Sequence, residues 1–412
     1  MTTSALSGRR VIELGTMLAA PFAAQILAQL GAEIIKVEPT TGDPTRTLVR
    51  GGPSGTFIGY NHSKKSVGLD LSRAEGRSVF ERLLATADVI LHNLSPGAAR
   101  RLGVSWESCS EANPLIVYCH IRGYGAGPLE NELASNPVAE AATGVMEANR
   151  INGRPSRLGP SYHDQFAGSY AVIRILAALV QPSAQNRHIE LGLYETGLHI
   201  AGRDLVGVQL KTHLLGKAER EPHGEFSMPG YGAYETADGR WMYLLMLTDG
   251  HWNKFCRALG LKAGDESLAT VRQRRKQREH VEELVRQAVH ARSWDQLAGE
   301  LTAAGFGFTE VIPLEQVLEQ PQARQPGKLT HLQFRGLNFD VPAFPGGVPR
   351  DGGSSDGEPP QLGQHSVEVL KSLGFGNTDI DALVAAGTVA IPQPNEFAWA
   401  PVRGAGERKS EA

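Results

Sequence analysis

Residues 11–38 read VIELGTMLAAPFAAQILAQLGAEIIKVE. Two short apolar runs rich in β-branched residues, VIEL and IIKVE, flank PFAAQILAQLG, in which apolar residues recur at helical spacing. The alternation continues through EGRSVFERLLATA (75–87), VILHN (89–93) and LIVYCH (115–120). Short apolar strands separated by amphipathic helices are typical of parallel strands joined by crossover helices. We therefore predict a Rossmann-like, doubly wound parallel α/β sheet, with ligands gathered at the carboxyl ends of its strands.

The turn after the first strand argues against a dinucleotide cofactor. It reads GTMLAAPFAA (15–24) and lacks the second and third glycines of a GxGxxG turn, so NAD is not expected. The cysteines Cys109, Cys119 and Cys256 are far apart in sequence and form no CxxC pair. Neither a zinc site nor a disulfide framework is predicted, and no metal is expected.

The chain of 412 residues exceeds the length that one hydrophobic core usually serves. A hairpin pattern begins at YGAYETADGRWMYLLML (231–247), where Asp238-Gly239 predicts a type I′ turn, and mostly helical periods follow as far as a short strand in GFTEVIP (307–313). We predict a large domain built from both chain ends, residues 1–224 and, after a linker, 326–390. A smaller α+β domain covers 225–325, and an irregular tail covers 391–412.

The overall charge gives no sign of a nucleic-acid or membrane partner. Lys and Arg number 41 against 44 Asp and Glu, a formal net charge of -3, so no general basic surface attracts polyanions. The amino terminus, MTTSALSGRR, runs into the first strand without an apolar signal core, and no later run reaches about 18 apolar residues. A cytoplasmic protein that acts on small molecules is expected.

Asp164 stands before a long apolar segment, in GPSYHDQFAGSYAVIRILAAL (159–179). Phe166, Tyr170, Ile173, Leu176 and Val180 lie on overlapping faces, which predicts a helix buried nearly all round. One interpretation of Asp164 is an N-cap, a position that aspartate favours without any catalytic role. The other is a nucleophile, kept ionised by the helix amino terminus and approached by substrate past the small residues 167–169. The residues alone leave both open.

Seven segments in order resemble one family, the class III CoA-transferases, which also contains α-methylacyl-CoA racemases and carnitine and formyl-CoA transferases. The resemblance runs from about Leu6 to Gly387. Besides the segment around Asp164, it is carried by LSGRRVIELG with AAPFAAQILAQLGAEIIKVEP (6–39), GDPTR (42–46), NHSKKSVGLDL (61–71), ADVILHNLSPGAARRLG (87–103), YETADGRW (234–241) and PPQLGQHSVEVL (359–370).

The resemblance implies that Asp164 is the catalytic nucleophile. It also implies a coenzyme A site formed by Leu18, Ala19, Leu69, Asn93, Leu94, Arg101 and Ser135. Arg101 would pair with a phosphate, and Asn93 and Leu94 end a predicted strand. The structural alternatives remain that Leu18 and Leu69 belong to the core and Arg101 to the surface.

The sequence departs from the family pattern at several positions. Pro39 replaces a basic residue that helps relatives to bind CoA, and Leu18 replaces a glutamine of the formyl-CoA transferases, so an oxalate or formate substrate is not indicated. Ser135 stands where racemases carry a histidine, and a serine hydroxyl is no general base near neutral pH. His163 is interpreted as a polar residue at the helix entry, and Glu140 and Asp249 as solvated surface carboxylates.

The activity implied is transfer of CoA from an acyl-CoA such as succinyl-CoA to a carboxylic acid, through an aspartyl mixed anhydride and an aspartyl-CoA thioester. The SNP, AAP and hairpin sequences are similar to the mesaconyl-CoA and other dicarboxylate branches. Two alternatives stay open: an α-methylacyl-CoA racemase or epimerase, and a non-catalytic acyl-CoA-binding subunit. The resemblance further implies an interlocked homodimer, with a heterodimer of homologous subunits as the alternative.

Overall fold

The structure, a computed structural model, describes residues 4–216, 228–262, 266–346 and 357–393. The chain divides into two compact units, one formed by residues up to 201 together with those from 324 onward, the other by residues 202–323. The predicted boundary near residue 225 lies outside the described residues, as does the tail from residue 394 onward. The helix at Gly202–Leu215, predicted as part of the large domain, belongs to the second unit.

The strands alternate with helices along the first unit, as the sequence predicts. The strands are β1 (Arg10–Leu14), β2 (Glu33–Glu38), β3 (Lys65–Leu69), β4 (Val89–His92), β5 (Val117–Arg122), β6 (Arg150–Ile151), β7 (Arg154–Pro155), β8 (His188–Gly192), β9 (Ala233–Glu235), β10 (Trp241–Leu244), β11 (Phe308–Glu310), β12 (Leu329–Phe334), β13 (Leu337–Pro342) and β14 (Val389–Ala390).

The helices of the first unit cross between these strands, and most helices of the second unit follow its hairpin. They are α1 (Ala19–Gln29), α2 (Gly55–Asn61), α3 (Ala74–Leu84), α4 (Pro96–Arg101), α5 (Trp106–Ala112), α6 (Asn136–Ala142), α7 (Val145–Ala148), α8 (Tyr162–Val180), α9 (Ala184–Arg187), α10 (Leu193–Ile200), α11 (Gly202–Leu215), α12 (Asp249–Ala258), α13 (Val271–Lys276), α14 (Arg278–His290), α15 (Trp294–Ala303), α16 (Ser366–Ser372) and α17 (Asn377–Ala385). Short 3₁₀ turns occupy Pro44–Arg46, Glu266–Leu268 and Leu314–Glu319.

The first unit is organised around a seven-stranded sheet in the order β14-β3-β2-β1-β4-β5-β8. All neighbours are parallel except β14, which runs antiparallel to β3 at the edge. The predicted doubly wound α/β fold is therefore confirmed. The chain reverses its direction of winding between β1 and β4, so the loops after these two strands flank the crevice where such sheets bind ligands.

Both faces of the sheet are buried, because successive residues of each central strand point to opposite sides. Val11 packs with α1 and α8 in one apolar cluster, whereas Ile12 packs with α3 and α16 in the other. Mostly apolar strands such as VIEL and VILH follow from this double burial.

Helix α8 is buried along one stripe rather than all round. Its core side consists mostly of small residues, including Ala167, Ala171 and Ala178, whereas Phe166, Ile173 and Val180 are 40%, 59% and 85% exposed. The prediction of burial for these three larger residues is wrong for the chain by itself. An alanine Cβ at Gly168 would come within 2.8 Å of the Ala19 carbonyl oxygen, so the small residues bring α8 close to α1 instead of opening a path for substrate.

The second unit has a three-stranded antiparallel sheet in the order β11-β10-β9, packed against α12, α14 and α15. The predicted hairpin is present, but its turn differs from type I′. Of Asp238 and Gly239, only Gly239 has a positive φ, and the Thr236 N–H donates to the Arg240 carbonyl across a three-residue loop. A left-handed glycine that closes a three-residue loop is the other common way to join two such strands.

In the parts of the chain that the structure describes, no helix is long and apolar enough to cross a lipid bilayer.

Candidate active site

A cavity of about 450 Å³ opens at the carboxyl ends of β1, β4 and β5. It contains most of the residues that the sequence nominated. Its walls include Leu18, Ala19, Asn93, Leu94, Ser135 and Asp164. These residues come from four separate segments of the first unit, and the sheet topology brings them together.

Two nominated residues lie elsewhere. Leu69 is buried at the end of β3 and packs in the apolar cluster beside α3, as the structural alternative had it. Arg101 is the last residue of α4 and is exposed. Neither lines the cavity, although Arg101 follows within two turns of Ser95 and Pro96, which do.

The loops after β1 and β4 are fastened to each other. The Thr16 N–H donates to Asn93 Oδ1 at 2.9 Å, and Asn93 Nδ2 donates to the Thr16 carbonyl at 2.9 Å. Met17 follows with a φ of 63°, a left-handed conformation that costs a side-chain-bearing residue energy. This reciprocal amide bond holds Leu18 and Ala19 at the mouth of the crevice.

Asp164 is the third residue of α8 and does not cap the helix. The cap position belongs to Ser161, which makes no side-chain capping bond. The capping acceptor is the side chain of Asn136, whose Oδ1 accepts from the N–H of His163 at 2.9 Å and of Asp164 at 3.3 Å. The capping interpretation of Asp164 is therefore wrong.

Glu140 holds the Asn136 side chain in this position through a hydrogen bond. Its buried carboxylate accepts from Asn136 Nδ2 through one oxygen, and from the Leu158 N–H at 3.1 Å through the other. The expectation of a solvated Glu140 is wrong, because the side chain is fully buried and bonded at both oxygens. Asp249 lies half-exposed in α12 of the second unit, paired with Arg274 at 2.6 Å.

The Asp164 carboxylate accepts no hydrogen bond from any residue that the structure describes. Burial alone raises its pKa from 3.8 to about 6. The amino terminus of the helix was expected to keep the Asp164 carboxylate ionised. The nearby N–H groups of His163 and Asp164 instead donate to Asn136, so the cost of burying the charge determines the pKa of Asp164. At neutral pH the group is an ionised, poorly solvated carboxylate facing a cavity, which is the condition for a nucleophile.

His163 is the neighbour of Asp164 in sequence but does not line the cavity. Its ring is buried, with Nε2 3.3 Å from the Thr143 hydroxyl, and burial lowers its pKa. The expected polar residue at the helix entry is thus turned into the interior. The hydroxyl-bearing Ser135 occupies the cavity wall instead.

Three charged residues of the cavity were not nominated from the sequence. They are Arg122, Glu132 and Arg157. Arg122 ends β5, so the rule that ligands collect at strand ends pointed to it. Glu132 and Arg157 lie in loops, and no sequence period fixes the position of a loop residue relative to the sheet.

The chain matches a known protein family over most of its length. The sequence profile of CoA-transferase family III matches residues 6–366. The chain belongs to this family. The resemblance stated from the seven segments is therefore confirmed, and the chain is an enzyme of the CoA-transferase class.

Relatives within the family act on succinyl-CoA. The chain is 30% identical to a succinyl-CoA–D-citramalate CoA-transferase of Chloroflexus aurantiacus, over 91% of this chain and 96% of the relative. It is 29% identical to the beta subunit of a succinyl-CoA–L-malate CoA-transferase of the same organism, over 93% and 97%. Among solved structures, a CAIB/BAIF family protein from Brucella suis matches with a TM-score of 0.76 at 26% identity, covering 90% of this chain and all of that one.

Proposed function

We propose that this family III CoA-transferase moves CoA from a dicarboxylic acyl-CoA, with succinyl-CoA as the donor, to a carboxylic acid through covalent intermediates on Asp164. The observation that carries the proposal is the Asp164 carboxylate, which faces the crevice at the sheet's switch point with its pKa raised to about 6 by burial. The succinyl-CoA donor is proposed because the compared relatives carry it in their names.

The chemistry needs no net proton transfer. An Asp164 oxygen attacks the thioester carbonyl of the donor, the C–S bond breaks, and CoA thiolate leaves a mixed anhydride. The thiolate then attacks the aspartyl carbonyl and expels the donor acid, which leaves an aspartyl-CoA thioester. The acceptor carboxylate attacks that thioester, and the released thiolate attacks the acceptor's acyl carbon and frees Asp164.

The coenzyme is proposed to lie along the joined loops after β1 and β4. Leu18, Ala19, Asn93 and Leu94 border the same cavity as Asp164, which supports this placement. Arg101, exposed at the end of α4, is proposed to reach a phosphate of the coenzyme and to supply positive charge that Pro39 does not.

We further propose that the enzyme works as a dimer of identical subunits in the cytoplasm. Support for a partner comes from the apolar residues Phe166, Ile173 and Val180 exposed along α8. The three cysteines are buried and unpaired, which suits a reducing compartment. The subunit name of one relative keeps a heterodimer as the alternative.

The test is to trap the covalent intermediate. We expect hydroxylamine, added with succinyl-CoA, to convert Asp164 to a hydroxamate, and borohydride to reduce its thioester to an alcohol. Trypsin releases Asp164 in the peptide Leu158–Arg174, in which it is the single side-chain carboxylate, so a mass shift of that peptide identifies the site without ambiguity.

The trapping result and two further measurements distinguish the proposal from its alternatives. Modification elsewhere, or none with any of a panel of acyl-CoAs, contradicts the proposal. Solvent deuterium entering the α-carbon of a branched acyl-CoA without an acceptor acid supports the racemase instead. Turnover by the purified single chain excludes a silent subunit, whereas turnover only after a homologous subunit is added supports the heterodimer.

The raised pKa of Asp164 predicts that the reaction slows at acid pH, which gives the pH–rate profile an acid limb. Because the attacking group must be ionised, we expect kcat/KM for the acyl-CoA to fall tenfold per pH unit below about 6 and to be level above it. An initial-rate profile from pH 4.5 to 8.5 measures the limb, with circular dichroism at each pH to check folding. A limb near the ordinary aspartate pKa of about 4 contradicts the assignment.

A further inference from the structure

The loop between β7 and α8 presents one arginine to the cavity. Arg157 lines the same 450 Å³ space as Asp164. Within the described residues its guanidinium forms no hydrogen bond or ion pair, although its backbone is well held. An arginine side chain has five N–H donors in a planar fork that fits a carboxylate.

The other charged residues of the cavity are less suited than Arg157 to bind a substrate carboxylate. Arg122 is engaged, since its guanidinium donates to the Glu130 carbonyl at 2.7 Å and to Glu190 at 3.3 Å. Glu132, exposed to solvent, and Asp164 are the acidic residues of the wall. Of the charged side chains that line the cavity, Arg157 is the one cation with no described protein partner.

The backbone at Arg157 is connected to the start of α8 by side-chain hydrogen bonds. Asn149 Nδ2 donates to the Arg157 carbonyl at 2.8 Å. The next residue, Leu158, donates its N–H to Glu140, which also holds Asn136, and Asn136 accepts from the Asp164 N–H. Glu140 and Asn136 are both buried. The loop that carries Arg157 and the turn that carries Asp164 are therefore linked through Glu140 and Asn136, which are hydrogen-bonded to each other.

We infer that Arg157 binds the distal carboxylate of a dicarboxylic acyl group while the proximal carbonyl lies at Asp164. The inference rests on the proposed function, because it assigns a substrate-recognition residue to that site. The guanidinium pairs with the carboxylate through two parallel N–H···O bonds. The connection through Glu140 and Asn136 sets the chain length of the acyl group that spans Arg157 and Asp164.

The test compares two donors that differ at one end. Succinyl-CoA and butyryl-CoA share the coenzyme and the four-carbon chain, but butyryl-CoA carries a methyl group where the distal carboxylate stands. For Arg157→Gln we expect kcat/KM for succinyl-CoA cleavage by hydroxylamine to fall about 10- to 100-fold, chiefly through KM, while the butyryl-CoA value changes less than about twofold. Arg157→Lys should retain an intermediate preference, because a single ammonium replaces the planar fork.

Arg154→Gln is the matched control. Arg154 is an exposed arginine of β7, three residues before Arg157, and does not line the cavity. We expect its variant to keep the wild-type preference for succinyl-CoA. An equal loss of kcat/KM for both donors in Arg157→Gln overturns the inference and indicates contact with the CoA phosphates. No loss for either donor overturns it as well.

A binding measurement separates this inference from the proposed chemistry. Calorimetric titration of the wild-type protein with free succinate and butyrate needs no turnover. Succinate affinity that falls in Arg157→Gln supports carboxylate recognition even if Asp164 is never modified. Equal succinate affinity in the two proteins overturns it, whether or not Asp164 is labelled.

Discussion

Asp164→Asn is expected to abolish CoA transfer and, at the same time, to stabilise the fold at pH 8. A carboxamide does not attack a thioester, so we expect kcat to fall by roughly 10³-fold or more, with no hydroxamate in the peptide Leu158–Arg174. The neutral amide also avoids the desolvation that raises the pKa of the native carboxyl group.

The sign of the stability change follows from proton linkage. The folded-state pKa of Asp164 is about 6 against 3.8 for the ordinary group, so ionisation above pH 6 occurs in both states and is disfavoured in the folded one. At about 1.4 kcal/mol per pKa unit, the full difference is about 3 kcal/mol, and partial solvent access reduces it to about 1–3 kcal/mol. The gain in stability of Asp164→Asn over the wild type should be full above pH 6, decrease as pH falls, and vanish below about pH 3.8.

Urea unfolding of the two proteins at pH 8 and pH 5 measures this effect. The matched control is Asp295→Asn, which changes an exposed first-turn aspartate of α15. It should leave transfer intact and lower stability by less than about 1 kcal/mol, since it removes a favourable interaction with the helix amino terminus. If Asp164→Asn transfers CoA, or is less stable than wild type at pH 8, the assigned role and environment of Asp164 are wrong.

The central sheet was predictable because its signals are local. Its central strands contain short, mostly apolar runs, and both faces of the sheet accept apolar residues, so the pattern at residues 11–14 predicts a strand without knowledge of its neighbours. The antiparallel hairpin of β12 and β13 was missed. Its turn uses Arg335 and Gly336, both with positive φ, and an arginine in that conformation is not a recognised turn signal.

The candidate site was predictable as a set of chain segments, but its internal geometry was not. The resemblance nominated Asp164, Asn93 and Leu18, and the cavity contains all three. The roles of Asn136 and Glu140 depend on where a loop meets the start of α8, which no hydrophobic period encodes. Burial of the exposed face of α8 was predicted wrongly for a related reason. Apolar periodicity indicates a helix face that packs against other residues, but it does not identify them.

A cluster of buried charges lies beneath the crevice, and it combines three cations with three carboxylates. Its members are Glu13, Lys36, Glu38, Asp43, Arg46 and Lys64. Lys36 is at the centre, with Nζ 3.0 Å from Glu13, 3.1 Å from Asp43 and 2.6 Å from the Gly15 carbonyl. Burial acts to lower the pKa of Lys36, but the surrounding carboxylates outweigh it and raise that pKa.

Lys36→Met is therefore expected to lower the free energy of unfolding by about 3–5 kcal/mol, because removing one member leaves buried carboxylates without compensation. The control is Lys65→Met on the adjacent strand. Lys65 pairs with Glu33 and Glu368, but its side chain is 35% exposed, so its loss should cost about 1 kcal/mol or less. Urea titrations of both variants at pH 7.5 make the comparison, and similar losses contradict a special role for the buried cluster.

Lys36→Met should also alter the candidate active site, because Lys36 and Lys64 donate hydrogen bonds to the backbone on either side of Leu18 and Ala19. Lys36 Nζ donates to the Gly15 carbonyl, and Lys64 Nζ donates to the Pro21 carbonyl at 3.0 Å. In Lys36→Met we expect faster hydrogen exchange in residues 15–21 and a higher KM for acyl-CoA in the folded fraction, whereas Lys65→Met leaves both unchanged. Exchange that quickens equally throughout the first unit would mean that the cluster stabilises the fold without ordering the loop that we propose as part of the coenzyme site.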